Sequence, residues 1–245
     1  MILNANAHIV PSAARHTHTV VFLHGRGSDA STFCSEIFES QDSDRRFFTE
    51  LFPGIKWVFP CAKKRYAETE DEDMHQWFDM LSVQRPQEDV DVQKAGLWES
   101  VAQVLEVLAQ EAEIVGGMKN VIIAGINQGC ATAMFTLLTA GIHAGGFFGL
   151  CGWLPLAEEI QELMQVPGRS KDVLKIPVLL QHCRDDDVVP LQNGEDLAER
   201  LRKMGMQVEW KCFDHGGHWL VEPKGMDGIV RFIGDIIKHS ETAVR

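Results

Sequence analysis

The chain is 245 residues long, 45% hydrophobic and 24% charged, which suits one domain with a large core and not a disordered polymer. Its formal charge of −12 argues against nucleic acid as a partner, because phosphate recognition needs a basic face. Six cysteines lie scattered without a C-x-x-C pair, the pattern of reduced, buried thiols and not of a disulfide framework.

Residues 1–18 read as an N-terminal segment and 19–245 as a single domain, since no linker or internal repeat divides the chain. The first eight residues carry no basic region followed by a long apolar core, so no secretory signal is read there and a cytoplasmic location is expected. Residues 19–23 (TVVFL) predict a buried strand that ends in the turn His24-Gly25-Arg26-Gly27. Residues 57–60 predict a second strand, stopped by Pro60. The stretch 61–91, with the acidic run 68–73 at its centre, reads as a solvated surface loop or as a flap over a pocket. It leaves no room for a large cap domain.

Apolar spacing predicts a helix over 97–115 with one buried face. A strand over 121–124, a helix over 130–138 and a strand over 146–150 follow. No Lys, Arg, Asp or Glu occurs from 120 to 157, yet Gly125, Gly129, Gly141 and Gly145 interrupt the run and Asn127, Gln128 and His143 are polar. Two buried strands around a buried helix account for it better than a bilayer span. Strands over 178–181 and 208–213 and an amphipathic helix over 228–237 complete the chain. Strands alternating with helices predict an α/β architecture, a mainly parallel central sheet with helices on both faces.

The most informative segment is Gly125-Ile126-Asn127-Gln128-Gly129. A strand runs into it and a helix leaves it, the context in which G-x-S-x-G raises a strained serine above an α/β-hydrolase sheet. Here the middle position carries a carboxamide, a poor nucleophile with no readily removable proton. In this fold the nucleophile, acid and base follow in chain order. Two later loops suit the acid and the base: 182–190, with Asp185, Asp186 and Asp187, and 214–219, with His215 and His218. Both follow predicted strands, at the sheet edge where open α/β folds place their sites. The turn at Arg26 and the residue after the nucleophile, Gln128, would supply two backbone N–H groups to an oxyanion, each worth about 3 kcal/mol in the transition state. Cys212, His215 and His218 match no common zinc spacing.

These residues carry a resemblance. The segments 22–28 (FLHGRGS), 76–79 (QWFD), 125–129, 152–156 (GWLPL), 182–190 and 217–219 (GHW) together resemble the acyl-protein thioesterase/carboxylesterase (phospholipase-carboxylesterase) family of α/β hydrolases, above all its filamentous-fungal branch. The resemblance spans most of 20–237. It implies Asp186 as the acid, His218 as the base and Asn127 at the position where the family has serine. It also implies Trp77, Phe78 and Trp153 near the substrate pocket, and a carboxylic ester or thioester as substrate, on a small molecule or an acylated protein. No metal or organic cofactor is implied. A hydrolase this compact can dimerise over an apolar pocket mouth, although no residue pattern demands a homodimer.

Asn127 leaves three readings open. The chain is an ester or thioester hydrolase whose serine was replaced on purpose; or an inactive binder of acyl groups or a partner; or an enzyme of other chemistry, a lyase, isomerase or cyclase, run by His218, Asp186 and the oxyanion donors. No other residue is placed to stand in for the serine. Ser28 and Ser31 lie on no elbow, and Cys130 belongs to the helix.

Overall fold

A computed structural model describes residues 7–166 and 170–243. Its frame is a seven-stranded sheet built from β1 (Ala7–Val10), β2 (His18–Leu23), β3 (Ile55–Pro60), β6 (Val121–Ile126), β7 (Gly146–Leu150), β8 (Pro177–Cys183) and β9 (Gln207–Phe213). The spatial order is β1-β3-β2-β6-β7-β8-β9. All neighbours pair in parallel except β1, which runs antiparallel along β3 from Ala7 opposite Pro60 to Val10 opposite Trp57. Strand β2 and strand β6 are buried at every position, as expected of central parallel strands covered on both faces.

Helices cover both faces. On one side α3 (Val90–Val115), α4 (Gln128–Ala140), the short α5 (Ile160–Leu163) and α6 (Leu191–Lys203) bury Leu97, Val104, Met134, Phe135, Ile160 and Leu201 against Val21, Ile123, Phe147 and Leu180. On the other, α1 (Ala30–Ile37), α2 (Phe48–Leu51) and α7 (Lys224–Ala243) bury Phe33, Phe48, Met226, Ile229 and Ile233 against Phe22, Ile122, Ala124 and Leu179. Alternate residues of each strand thus feed two separate cores. Among the described residues no helix is long and apolar enough to cross a membrane.

The structure departs from the sequence-based expectation in several elements: α1, α2, α5 and α6 were not expected, and three further differences have a physical reason. Helix α3 starts at Val90 and not near Leu97, because its first turns hide their burial behind polar residues and glycine. Gln93 is buried and donates to Pro86 O at 2.8 Å, and Gly96 packs against Phe78. The stretch after Cys61 is no simple loop. It forms a separate hairpin, β4 (Lys64–Ala67) and β5 (Glu72–His75), with the acidic run at its turn. Strand β1 was unpredicted too; at four residues it is too short for a period to show.

Register decides where the loops go. With Leu23 beside Gly125, Ile126 beside Leu150 and Cys183 beside Phe213, the parallel strands end along one edge. The turns that follow β2, β6, β8 and β9 therefore meet there. Tight packing fixes the central turn: a Cβ on Gly129 would strike the carbonyl groups of Leu23 and His24, and one on Gly125 would strike the start of α4. Gly129→Ala is expected to lower unfolding stability by about 3 kcal/mol. Gly234→Ala, at a position in α7 with nothing within 4 Å of the added carbon, should raise it by about 0.5–1 kcal/mol. Urea melts of the two variants would show opposite shifts in midpoint.

Candidate active site

Asn127 stands between β6 and α4 with φ 54° and ψ −125°, outside the helical and extended regions. A non-glycine residue there stores about 1–3 kcal/mol of strain. The surroundings hold it: Asn127 N donates to Leu150 O at 3.0 Å, and Asn127 O accepts from Ala131 N at 3.1 Å as α4 begins. The side chain is thereby raised above the carboxyl edge of the sheet.

From Asn127 a row of hydrogen bonds crosses the site. Asn127 Nδ2 lies 2.8 Å from His218 Nε2, and His218 Nδ1 lies 2.7 Å from Asp186 Oδ2. The orientation of the amide follows from its other end. Asn127 Oδ1 accepts from Gln128 N at 2.6 Å and faces Arg26 N at 3.4 Å, so the oxygen must point there and the NH₂ must point at the imidazole. An NH₂ can only donate, which makes Nε2 the acceptor and leaves the imidazole proton on Nδ1. That is the tautomer a general base needs.

Asp186 is held on every side. Its Oδ1 accepts from the backbone N–H of Val188 at 2.9 Å and Val189 at 2.8 Å, and its Oδ2 lies 3.1 Å from Nε2 of buried His182. Burial works against its charge, but the hydrogen bonds from His182, His218 and Val189 outweigh it and hold the carboxyl well below the usual range. A carboxyl depressed in the folded state contributes stability above its unfolded pKa, about 3.9. That contribution is lost as pH falls below about 4 toward the folded value. Thermal melts between pH 5 and pH 2 should therefore show a shallower acid slope for Asp186→Asn than for the parent chain.

The structure separates the candidates that the residues alone left open. Asp185 faces outward and accepts from Gly217 N at 2.9 Å, which pins the histidine loop, and Asp187 is exposed. His215 is also exposed and sits 3.4 Å from Asp185. Among the described residues Cys212, His215 and His218 do not gather into a metal-binding group. The cluster that does form, Cys151, His182 and Asp186, is buried and surrounds the carboxylate that orients His218. Cys130 is fully buried and its thiol is pushed up to about 12 by desolvation, so it supplies no thiolate.

The two oxyanion donors expected from the sequence, Arg26 N and Gln128 N, do converge. What they converge on is the carboxamide oxygen of Asn127 itself. Behind them lies a buttress that the sequence did not announce. Gln128 Nε2 donates to Phe78 O at 2.7 Å, Gln128 Oε1 accepts from Trp77 N at 2.7 Å, and Trp77 Nε1 donates to His24 O at 2.9 Å. His24 Nε2 accepts from Ala62 N at 3.0 Å, and burial lowers this imidazole to about 4, which keeps it neutral. The Arg26 side chain donates to Gln76 Oε1 at 2.9 Å and makes two bonds to Glu70 at 2.8 and 2.6 Å, fastening the hairpin turn beside the site. Glu70 was hidden in an acidic run that looked like a wet loop. Trp77, Phe78 and Trp153, expected near the pocket, are buried to 1% exposure or less and present no surface to a ligand in this structure. Trp77 and Phe78 touch the site through the backbone and indole bonds just described.

A removed nucleophile ordinarily leaves 10³–10⁴-fold catalysis over water, roughly, from the oxyanion hole and binding. Here both backbone donors are directed at Asn127 Oδ1, so a substrate oxygen would have to compete with the carboxamide for them. Asn127→Ala, which removes the carboxamide, is expected to hydrolyse an activated ester faster than the parent chain, on the order of 10²-fold. Equal background rates for the two would show that the carboxamide does not occupy the hole in solution.

A sequence model of the phospholipase/carboxylesterase family matches residues 4–237. The chain belongs to that family. Among its relatives, acyl-protein thioesterase 1 of Gibberella zeae is 26% identical over 231 residues, covering 92% of this chain and 93% of the relative. Acyl-protein thioesterase 1 of Schizosaccharomyces pombe is 27% identical over 218 residues and covers 87% of each chain. The crystal structure of Zea mays acyl-protein thioesterase 2 superposes with a TM-score of 0.77 at 26% identity, over 94% of this chain and 98% of that one. The fold is the α/β-hydrolase fold of this family, and membership supports ester or thioester hydrolysis as its chemistry.

Proposed function

We propose that this member is a carboxylic ester or thioester hydrolase of the acyl-protein thioesterase type, assembled except for its nucleophile and held silent by Asn127. The reading rests on one observation above the others. A single side chain fills the oxyanion position with its oxygen and caps the catalytic nitrogen with its NH₂, while the acid, the base and both backbone donors stand ready around it. The substrate class is an acyl ester or thioester on a small molecule or a lipidated protein, and relatives named acyl-protein thioesterases favour the latter.

The same observation weighs against non-hydrolytic chemistry run by His218. Proton abstraction beside a carbonyl needs a free Nε2 and an open oxyanion hole, and Asn127 engages both. The test is turnover of the parent chain and the Asn127→Ser form on a short-chain p-nitrophenyl ester and on a long-chain acyl thioester. The proposal requires turnover from the serine form alone. Turnover of neither substrate by that form would overturn it.

A further inference from the structure

We infer that Asn127 is itself a substrate of this site, and that its side-chain amide is hydrolysed in place to give an aspartyl residue at position 127. The inference rests on the reading of His218 as base and of Arg26 and Gln128 as oxyanion donors. The carboxamide is posed as an amide awaiting cleavage. Its carbonyl oxygen lies between the two N–H donors, at 2.6 and 3.4 Å, and its nitrogen lies 2.8 Å from the imidazole that would protonate a departing amine. An acyl-transfer site asks for the same two features in the substrate it cleaves.

The missing reactant is water. Asn127 is 5% exposed and the His218 side chain 19% exposed, so water would have to approach from the His218 side. Nε2 of His218 first lets go of the Asn127 NH₂; a water oxygen then bonds to Cγ of Asn127 while that nitrogen takes one of the water's protons. The carbonyl π pair moves to Oδ1, where Gln128 N and Arg26 N hold the charge. As the C=O re-forms, the Cγ–Nδ2 bond breaks and His218 returns its proton to the nitrogen, which leaves as ammonia. One amide and one water give one carboxylate and one ammonium, and nothing is oxidised or reduced. The carboxylate so formed belongs to a class of side chain that can act as a covalent nucleophile, which an amide cannot.

A second route to the same residue is ring closure, in which the backbone nitrogen of Gln128 attacks Cγ. It would yield isoaspartate alongside aspartate and would not need His218. The structure disfavours it, because Gln128 N–H is engaged by Oδ1 and the Asn127 carbonyl already anchors the first turn of α4.

The experiment is peptide mass spectrometry of the purified full chain, incubated near neutral pH in ordinary and in ¹⁸O-labelled water. The expected result is exchange of NH₂ for OH at position 127, present at isolation or growing with time. Newly formed product should carry one solvent oxygen, appear as aspartate alone and release ammonia in step. His218→Ala should slow the conversion about 10²-fold or more. An amide that stays intact over long incubation, an isoaspartate fraction, or an unchanged rate in a folded His218→Ala form would each overturn the inference. If that variant does not fold, the time course and the isoaspartate measurement on the parent chain still decide. Ester turnover by Asn127→Ser separates the two proposals. If it turns over while the parent amide stays intact, only the self-hydrolysis fails. If it is inert, the hydrolase reading fails first.

Discussion

Asn127→Ser is expected to raise ester turnover by about 10⁵-fold or more over the parent chain, because removing a serine-hydrolase nucleophile costs about 10⁶ in turnover. The substitution acts twice. It supplies a hydroxyl at the end of a strained elbow whose backbone is already set, and it withdraws the oxygen that fills the oxyanion position. The new Oγ would sit near the present Cγ, within reach of His218 Nε2, which the amide NH₂ now contacts at 2.8 Å. The imidazole needs no change of tautomer, since its Nδ1–H already donates to Asp186 Oδ2, 2.7 Å from Nδ1. The donors need no rearrangement either: Gln128 N heads α4, and the turn at Arg26 is braced through Gln76 and Glu70. The gain should appear in kcat, because the groups concerned act on the transition state more than on bound substrate. A gain below tenfold would mean that the elbow or the base is misplaced.

The second large effect is the loss of that gained activity when the acid is changed. In the Asn127→Ser background, Asp186→Asn is expected to lower kcat by about 10⁴-fold, with KM little altered. The cause is a conflict of donors. Asp186 now accepts on both oxygens: Val188 N and Val189 N on Oδ1, His218 Nδ1 and His182 Nε2 on Oδ2. An asparagine can keep its oxygen toward the two backbone donors, but its NH₂ then faces two imidazole N–H groups. His218 must turn its proton to Nε2, and a base protonated there cannot accept one from serine. His215→Ala in the same background should stay within a few-fold of full activity, since His215 is exposed and pairs with Asp185 and not with Asp186. Steady-state kinetics of the three forms on one ester would separate the roles.

Much of the fold was legible because parallel strands buried on both faces are written as continuous apolar runs, as in Val20, Val21, Phe22 and Leu23 or Val121, Ile122 and Ile123. The order of the turns at Arg26, Asn127, Asp186 and His218 could likewise be read, since each lies in the segment that follows an expected strand. What stayed hidden has physical reasons. The β4–β5 hairpin is mostly polar, with only scattered Tyr66, Ala67 and Met74, and forms a sheet of its own, so no apolar period marks it. The start of α3 buries Gln93 and packs Gly96 against Phe78, contacts with Pro86 and Phe78 that no local pattern encodes. The sequence displayed an amide at the nucleophile position, but not that the amide would turn its oxygen into the oxyanion site and its nitrogen onto His218. That orientation depends on N–H groups from β2's turn and α4, one of them 101 positions away in the chain. Glu70 and Gln76 reach the site through the Arg26 side chain, a link that three-dimensional packing creates.

The most direct test of the central claim is acyl transfer to position 127, followed in the first turnover with a p-nitrophenyl ester and located by mass spectrometry of the peptide that spans the elbow. The account predicts a burst of one p-nitrophenol per Asn127→Ser chain, with the acyl group on the residue at 127, and neither burst nor acyl adduct from the parent chain. A burst from the parent chain, an acyl group on any other residue, or no burst from the serine form would contradict it.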